Sequence, residues 1–151
     1  MTTICATANA MAADSRVTWG DTSYLSPKLL VLPDAIVGAA GDSEACRQFL
    51  EWWPKRETAD LDVDEGQELD GLVLTRTGLY LYGKTGRYDK IRDGMMAIGS
   101  GGALAIASLE TQIRLGFTPC PKIAVEVACM RNPGSAGPID MYTLDNLKKR
   151  K

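Results

Sequence analysis

The chain contains no histidine. That absence removes every Ser-His-Asp and Cys-His catalytic device, and the common zinc sites with them. A hydrolase built on this chain must find its general base elsewhere. An amine serves, from either a lysine or the chain's own N-terminus. The cysteines Cys5, Cys46, Cys120 and Cys129 form no CxxC pair and show no metal-ligand rhythm. Each sits among apolar neighbours and reads as a small buried thiol of a reducing compartment. No apolar run approaches a membrane span, and Met1-Thr-Thr-Ile lacks a basic n-region, so the sequence predicts a cytoplasmic protein without a signal peptide. Charge of one sign is also missing. Lys and Arg number 17 against 19 Asp and Glu, a net of −2, which disfavours a nucleic-acid partner. The exception is the basic run Lys148-Lys149-Arg150-Lys151, read as part of a solvated tail over 145–151.

What is present fits one soluble domain over 1–144. The 151 residues are 45% apolar and 24% charged, enough to bury a core without a disulfide or metal staple. Thr2–Ala8 and Ala10–Asp14 predict an opening hairpin around Asn9. Lys28–Leu32 and Ala35–Ala40 predict a second strand pair turned by Pro33-Asp34. Asp42 suits a helix N-cap, and Cys46, Phe49 and Trp53 keep helical spacing up to Pro54. The charged stretch 55–68 reads as a surface loop. Leu72–Thr75 and Leu79–Tyr82 flank Arg76-Thr77-Gly78 as a hairpin, with Arg87–Ile91 after a second turn. Tyr80 and Tyr82 are expected on alternate strand faces, at core, rim or subunit-interface positions. Met95–Ile98 predicts a strand closed by Gly99-Ser100-Gly101-Gly102, where Ser100 also suits an N-cap. Helices are expected over about 103–115, with Ile106, Leu109 and Ile113 buried, and from Thr118-Pro119 onward. The second of these is expected to bury Ile123, Ala124, Val127 and Met130. Pro138–Leu144 returns as a strand. This grouping predicts a layered α+β domain with mainly antiparallel sheets.

Thr2 directly follows the initiator methionine, and its small side chain suits removal of Met1 by a methionine aminopeptidase. A free N-terminal threonine carries a hydroxyl nucleophile and an amine base in one residue. An α-amino group titrates at about pKa 7.7–8.0, so it accepts the hydroxyl proton without help from histidine.

Five further segments stand in order: Ala13-Asp14-Ser15-Arg16-Val17-Thr18, Ser26-Pro27-Lys28-Leu29-Leu30, Ile36-Val-Gly-Ala-Ala-Gly-Asp42, Ala97-Ile-Gly-Ser-Gly-Gly102 and Ser135-Ala-Gly-Pro-Ile-Asp140. With Thr2-Thr3 at the start, this set resembles the proteasome β-subunit family, including the bacterial proteasome-like peptidases that work with a ring-shaped unfoldase. The resemblance spans roughly Thr2 to Leu144. It implies a four-layer αββα N-terminal-nucleophile sandwich of two mainly antiparallel sheets. It also implies a threonine-type peptidase acting through an acyl-enzyme, with no cofactor and no metal.

By the same resemblance Thr2 is the nucleophile, Lys28 lowers the pKa of its hydroxyl, and Asp14 holds that lysine protonated. Gly41 offers its backbone N–H to the oxyanion, since a glycine lets the chain approach closely. Ser100 and Ser135 orient the terminal amine. Thr18 and Gly41 pair with an extended peptide substrate as an added strand, and Ala39 lines the first specificity pocket. The resemblance further implies a peptide or unfolded-protein substrate, a homo-oligomeric ring, and room for an ATP-driven unfoldase. Set against that family, the chain is expected to lack a propeptide and is compact.

Two departures bear on the chemistry. Asn132 stands where the family carries aspartate, so it accepts a hydrogen bond without supplying negative charge. The opening hairpin is also shorter than usual. Two other readings stay open: a small-molecule amidase of the same mechanism, and an interaction protein that keeps the sandwich without turnover. Gly99–Gly102 lacks the third glycine of GxGxxG and a P-loop lysine, which argues against a phosphate cradle. Trp52-Trp53 is expected to pack a helix onto the core rather than stack a base.

Overall fold

A computed structural model describes residues 1–147; the basic run from Lys148 to Lys151 lies outside the described residues. The chain opens with two four-residue strands, β1 (Thr3–Ala6) and β2 (Ala10–Ala13), buried on both faces. That double burial is why they are built from Ala, Ile, Cys and Met rather than from alternating polar and apolar residues. An exposed ribbon follows, β3 (Arg16–Trp19) paired with β4 (Thr22–Leu25). Next come β5 (Leu29–Val31), β6 (Ala35–Gly41), α1 (Ser43–Trp52) and a 3-10 turn over Trp53–Lys55. The second half is β7 (Leu69–Thr75), β8 (Gly78–Tyr82), β9 (Tyr88–Lys90), β10 (Met96–Gly99), α2 (Gly102–Arg114), α3 (Pro121–Arg131) and β11 (Asp140–Thr143).

Apart from the β3–β4 ribbon, the strands make two antiparallel sheets, in the orders β10-β1-β2-β11 and β5-β6-β7-β8-β9. Their facing sides meet in one apolar layer: Ile4, Ala6, Met11 and Ala13 from the first sheet against Ile36, Leu72, Leu74 and Leu79 from the second. The outer face of the five-stranded sheet, with Val37, Ala39 and Val73, carries α1 through Ala45 and Phe49. The outer face of the four-stranded sheet, with Cys5, Ala12 and Ala97, carries α2 and α3. The layers therefore run helix, sheet, sheet, helix pair, which is the αββα sandwich anticipated. Close packing of α1 uses a strand position without a side chain. A Cβ on Gly71 would enter the Phe49 ring.

Several expectations are corrected. Helix α3 buries Ala124, Val125 and Ala128, while Ile123, Val127 and Met130 are exposed. The helix lies against the small residues Cys5 and Ala12, and only small side chains on its own near face let the backbones approach. Likewise α2 buries Gly102, Ala105 and Leu109, and leaves Ile113 exposed. Its start is capped by Gly101, not Ser100, and α3 starts at Pro121 after Cys120 rather than at Thr118-Pro119. Asp42 occupies the N-cap of α1 without capping it; its Oδ2 accepts the Glu68 N–H at 2.7 Å instead. Tyr80 and Tyr82 share one strand face, because side chains two residues apart project the same way. The segment read as a tail from 145 begins inside the fold: Leu144–Asn146 form a 3-10 turn and Leu147 is buried in the inter-sheet core.

Candidate active site

Asp14 lies just past β2, and its carboxylate is fully buried. Burying a charge demands partners, and every partner here can be named. Oδ1 accepts the Thr3 N–H at 2.9 Å, and Oδ2 accepts the Ala136 N–H at 3.1 Å. Lys28 Nζ donates to both oxygens, at 2.9 and 3.0 Å. The pair locks the start of β1, the entry to β5 and the loop before β11 to one another. The Lys28 side chain is only 9% exposed. Burial lowers its pKa from the ordinary lysine value, while the hydrogen bond and charge of Asp14 oppose that fall. Lys28 is therefore an ammonium held by one carboxylate, and one that releases a proton more readily than a surface lysine does.

The same Nζ donates to the Met1 carbonyl oxygen at 3.0 Å. Lys28 thus already reaches the Met1–Thr2 peptide, the bond whose loss frees the Thr2 amine. The Thr2 carbonyl is held on the other side, by Gly101 N–H at 3.5 Å and Ser100 Oγ at 3.4 Å. Thr3 fixes the strand below. It is fully buried, and its hydroxyl shares a 2.7 Å hydrogen bond with Ser135. Ser135 therefore grips residue 3, and with Met1 attached it does not bond the residue 2 nitrogen. Asn132 donates Nδ2 to Ser100 Oγ at 2.8 Å and accepts the Gly134 N–H at Oδ1. At this position an amide does what a carboxylate cannot, since it donates to the serine while accepting from the loop.

Two cavities flank Thr2. One, of about 410 Å³, is lined by Thr2, Lys28, Thr18, Ala39 and Gly41, with Cys46 and Leu50 of α1 behind them. The other, of about 450 Å³, is lined by Thr2, Gly41, Gly99 and Ser100, with Asp42, Glu68 and Asp70 beyond. The predicted residues Thr2, Lys28, Thr18, Ala39, Gly41 and Ser100 thus face a common cleft, with Asp14 and Ser135 buried beneath it. Cys46, in the cleft wall, has its thiol pushed up to about 11, first by burial and then by Asp42.

Strand alternation decides where the donors of β6 point. Asp42 N–H bonds Glu68 O, and Leu32 N–H bonds Ala35 O. Even-numbered residues therefore bond toward β7 and odd-numbered ones toward β5. The β5 ladder ends at Leu29↔Gly38, a non-hydrogen-bonded pair in this alternation, so the Ala39 N–H still faces the Lys28 backbone and the Gly41 N–H is the first on this edge to point beyond the ladder. Sequence reading singled out Gly41, and the register places its N–H on that edge. Gly41 itself is required, because its φ is 131° and a Cβ there would run into the Glu68 carbonyl.

No family model matches the chain, and no curated protein matches it in sequence. Solved structures do match in fold. The Thiobacillus denitrificans protein BPH, in complex with epoxomicin, superposes with a TM-score of 0.73 at 14% identity, over 93% of this chain and 97% of that one. Eukaryotic HslV from Trypanosoma brucei gives 0.71 at 19% identity, over 93% and 98%. An Anbu (Gly-1) mutant from Hyphomicrobium sp. strain MC1 gives 0.69 at 12% identity, over 95% and 81%. At these identities the likeness is one of fold, and that fold is the proteasome-like sandwich of the N-terminal-nucleophile hydrolases.

Proposed function

We propose that this protein is a threonine-type peptidase whose nucleophile is Thr2, exposed when Met1 is removed. The observation that carries the reading is the Lys28–Asp14 pair, buried at the bottom of a cleft and already within 3.0 Å of the peptide between Met1 and Thr2. Lys28 also lines the cavity beside Thr2, so its cation is within reach of a group bound there. A nucleophile without histidine needs such a cation.

The freed Thr2 amine takes the hydroxyl proton, and Oγ1 attacks the scissile carbonyl. Lys28, relieved of the Met1 carbonyl, faces the hydroxyl and favours its anionic form. The Gly41 N–H receives the oxyanion. The protonated amine gives its proton to the leaving nitrogen, and an ester on Thr2 remains. Water, deprotonated by the same amine, then releases the product and restores the hydroxyl. An extended substrate lies along the free edge of β6, opposite Thr18, and its side chain enters the cavity walled by Ala39, Cys46 and Leu50. Ser100 and Asn132 position the Thr2 backbone. A homo-oligomeric ring in the cytoplasm, served by an unfoldase, is the setting that such a cleft suits.

The test is intact mass together with peptide hydrolysis. Active protein lacks Met1, and Thr2→Ala loses at least about a thousandfold in kcat on a fluorogenic peptide, the order seen when one member of a nucleophile–base unit is removed. Thr2→Ala with unchanged turnover, or activity in material that retains Met1, refutes the assignment. Hydrolysis of small acyl amides without peptides would place the protein among amidases instead.

A further inference from the structure

On the far end of α1 a second cavity shares no lining residue with those around Thr2. It measures about 390 Å³ and is walled by Trp52, Trp53, Tyr80, Tyr82 and Tyr88, with Arg56 at its rim. The rings contact one another edge-on or tilted, with Trp52–Tyr82 at 6.2 Å, Tyr82–Tyr88 at 5.1 Å and Tyr80–Tyr88 at 5.5 Å between centroids. The cavity these packed rings line presents an aromatic surface that suits a flat apolar group.

Polar atoms of the same walls are left with capacity. Arg56 stacks over Trp53 at 3.7 Å and spends one N–H on the Trp53 carbonyl. A guanidinium has five, and Arg56 makes no ion pair among the described residues. Trp53 is almost wholly buried, and its indole N–H has no acceptor among the described residues. The hydroxyls of Thr75, Thr77 and Tyr80 form a short chain along one wall, at 2.8 and 3.0 Å. No acidic residue lines the cavity. A stacked guanidinium with free N–H groups and no ion pair calls for an acceptor carrying negative charge. A cationic ligand is disfavoured, because Arg56 already covers the Trp53 face and Lys90 stands 6.0 Å from the Tyr80 ring.

We propose that this cavity is a binding site for a small aromatic carboxylate, its ring held among Trp52, Tyr82 and Tyr88 and its carboxylate by Arg56. One guanidinium matches a single carboxylate in a bidentate pair. The site lies apart from the cleft, so the proposal stands whether or not Thr2 is catalytic.

The probes are 3-phenylpropanoate and its uncharged amide, titrated into the full chain and followed by saturation-transfer NMR. The acid is expected to bind at least about tenfold tighter than the amide, a ratio worth about 1.4 kcal/mol. Arg56→Gln should bring the two within about twofold while ring binding persists. Tyr88→Ala, at a half-exposed position that tolerates truncation, should weaken both probes alike. Equal affinities for acid and amide in the unaltered protein, no saturable binding of either, or an unchanged ratio in Arg56→Gln would overturn the proposal.

Discussion

Replacing Asp14 by Asn tests the centre of the site most directly. The change keeps shape and removes one charge. In the native protein the carboxylate accepts from two backbone N–H groups and twice from Lys28, so every direction around it holds a donor. An amide nitrogen placed there must face a donor with a donor, and the ammonium of Lys28, 9% exposed, is left without a counter-charge. Truncating one partner of a buried ion pair typically costs about 3–5 kcal/mol, and Asp14→Asn should fall in that range. Lys28→Met leaves the opposite defect, a fully buried carboxylate with only its two backbone donors, at a similar cost. The double variant removes both charges, so its loss should be smaller than the sum of the two single losses by about 2 kcal/mol or more. Urea denaturation of the four proteins, read by circular dichroism, supplies the cycle. Losses that add to within about 0.5 kcal/mol would refute the claim that the two groups act as a pair. So would a cost below about 1 kcal/mol for Asp14→Asn. This cycle concerns folding alone, so it stands independently of whether turnover is found.

Two other perturbations follow from the same geometry. Gly41→Ala places a Cβ against the Glu68 carbonyl at a left-handed backbone position and should cost about 2 kcal/mol or more in thermal denaturation; a change below about 0.5 kcal/mol would mean that the strand end relaxes freely. The Cys46 thiol, held up to about 11 against an ordinary 9.0, should show an alkylation rate whose pH midpoint lies near 11 in the folded protein and near 9 in urea. The sign for stability follows: the native state keeps this proton while the unfolded chain releases it, so stability falls as pH rises from 9 toward 11. Cys46→Ala should remove that part of the alkaline slope, and an unchanged slope would refute the link.

Much of the cleft could be read along the chain. Thr2 beside the initiator is a local signal, and Lys28 and Gly41 were marked by the ordered set of short segments that carries the family resemblance. The ladder partners were less legible. Thr3 hydrogen-bonds Ser135 across 132 positions, and no local pattern links them. The helices show the same limit. In α3 the periodicity marks two faces, and the larger side chains suggested the wrong one as the buried side. Only the neighbouring Cys5 and Ala12 settle that small residues must face inward.

The amino-acid order alone thus determined which chemistry is open to this protein: amine in place of imidazole, no metal ligands in sequence rhythm, and strands and helices in the order of a layered sandwich. Tertiary structure decided which of those groups meet. It put one carboxylate under four hydrogen bonds from three donors, placed the Gly41 N–H on the cleft edge through a strand register, and gathered five aromatic rings from α1, the turn after it, β8 and β9 into one cavity. The physical reason is range. Propensity and periodicity act over a few residues, whereas burial of charge and pairing of donors are satisfied only between segments that the folded chain brings together.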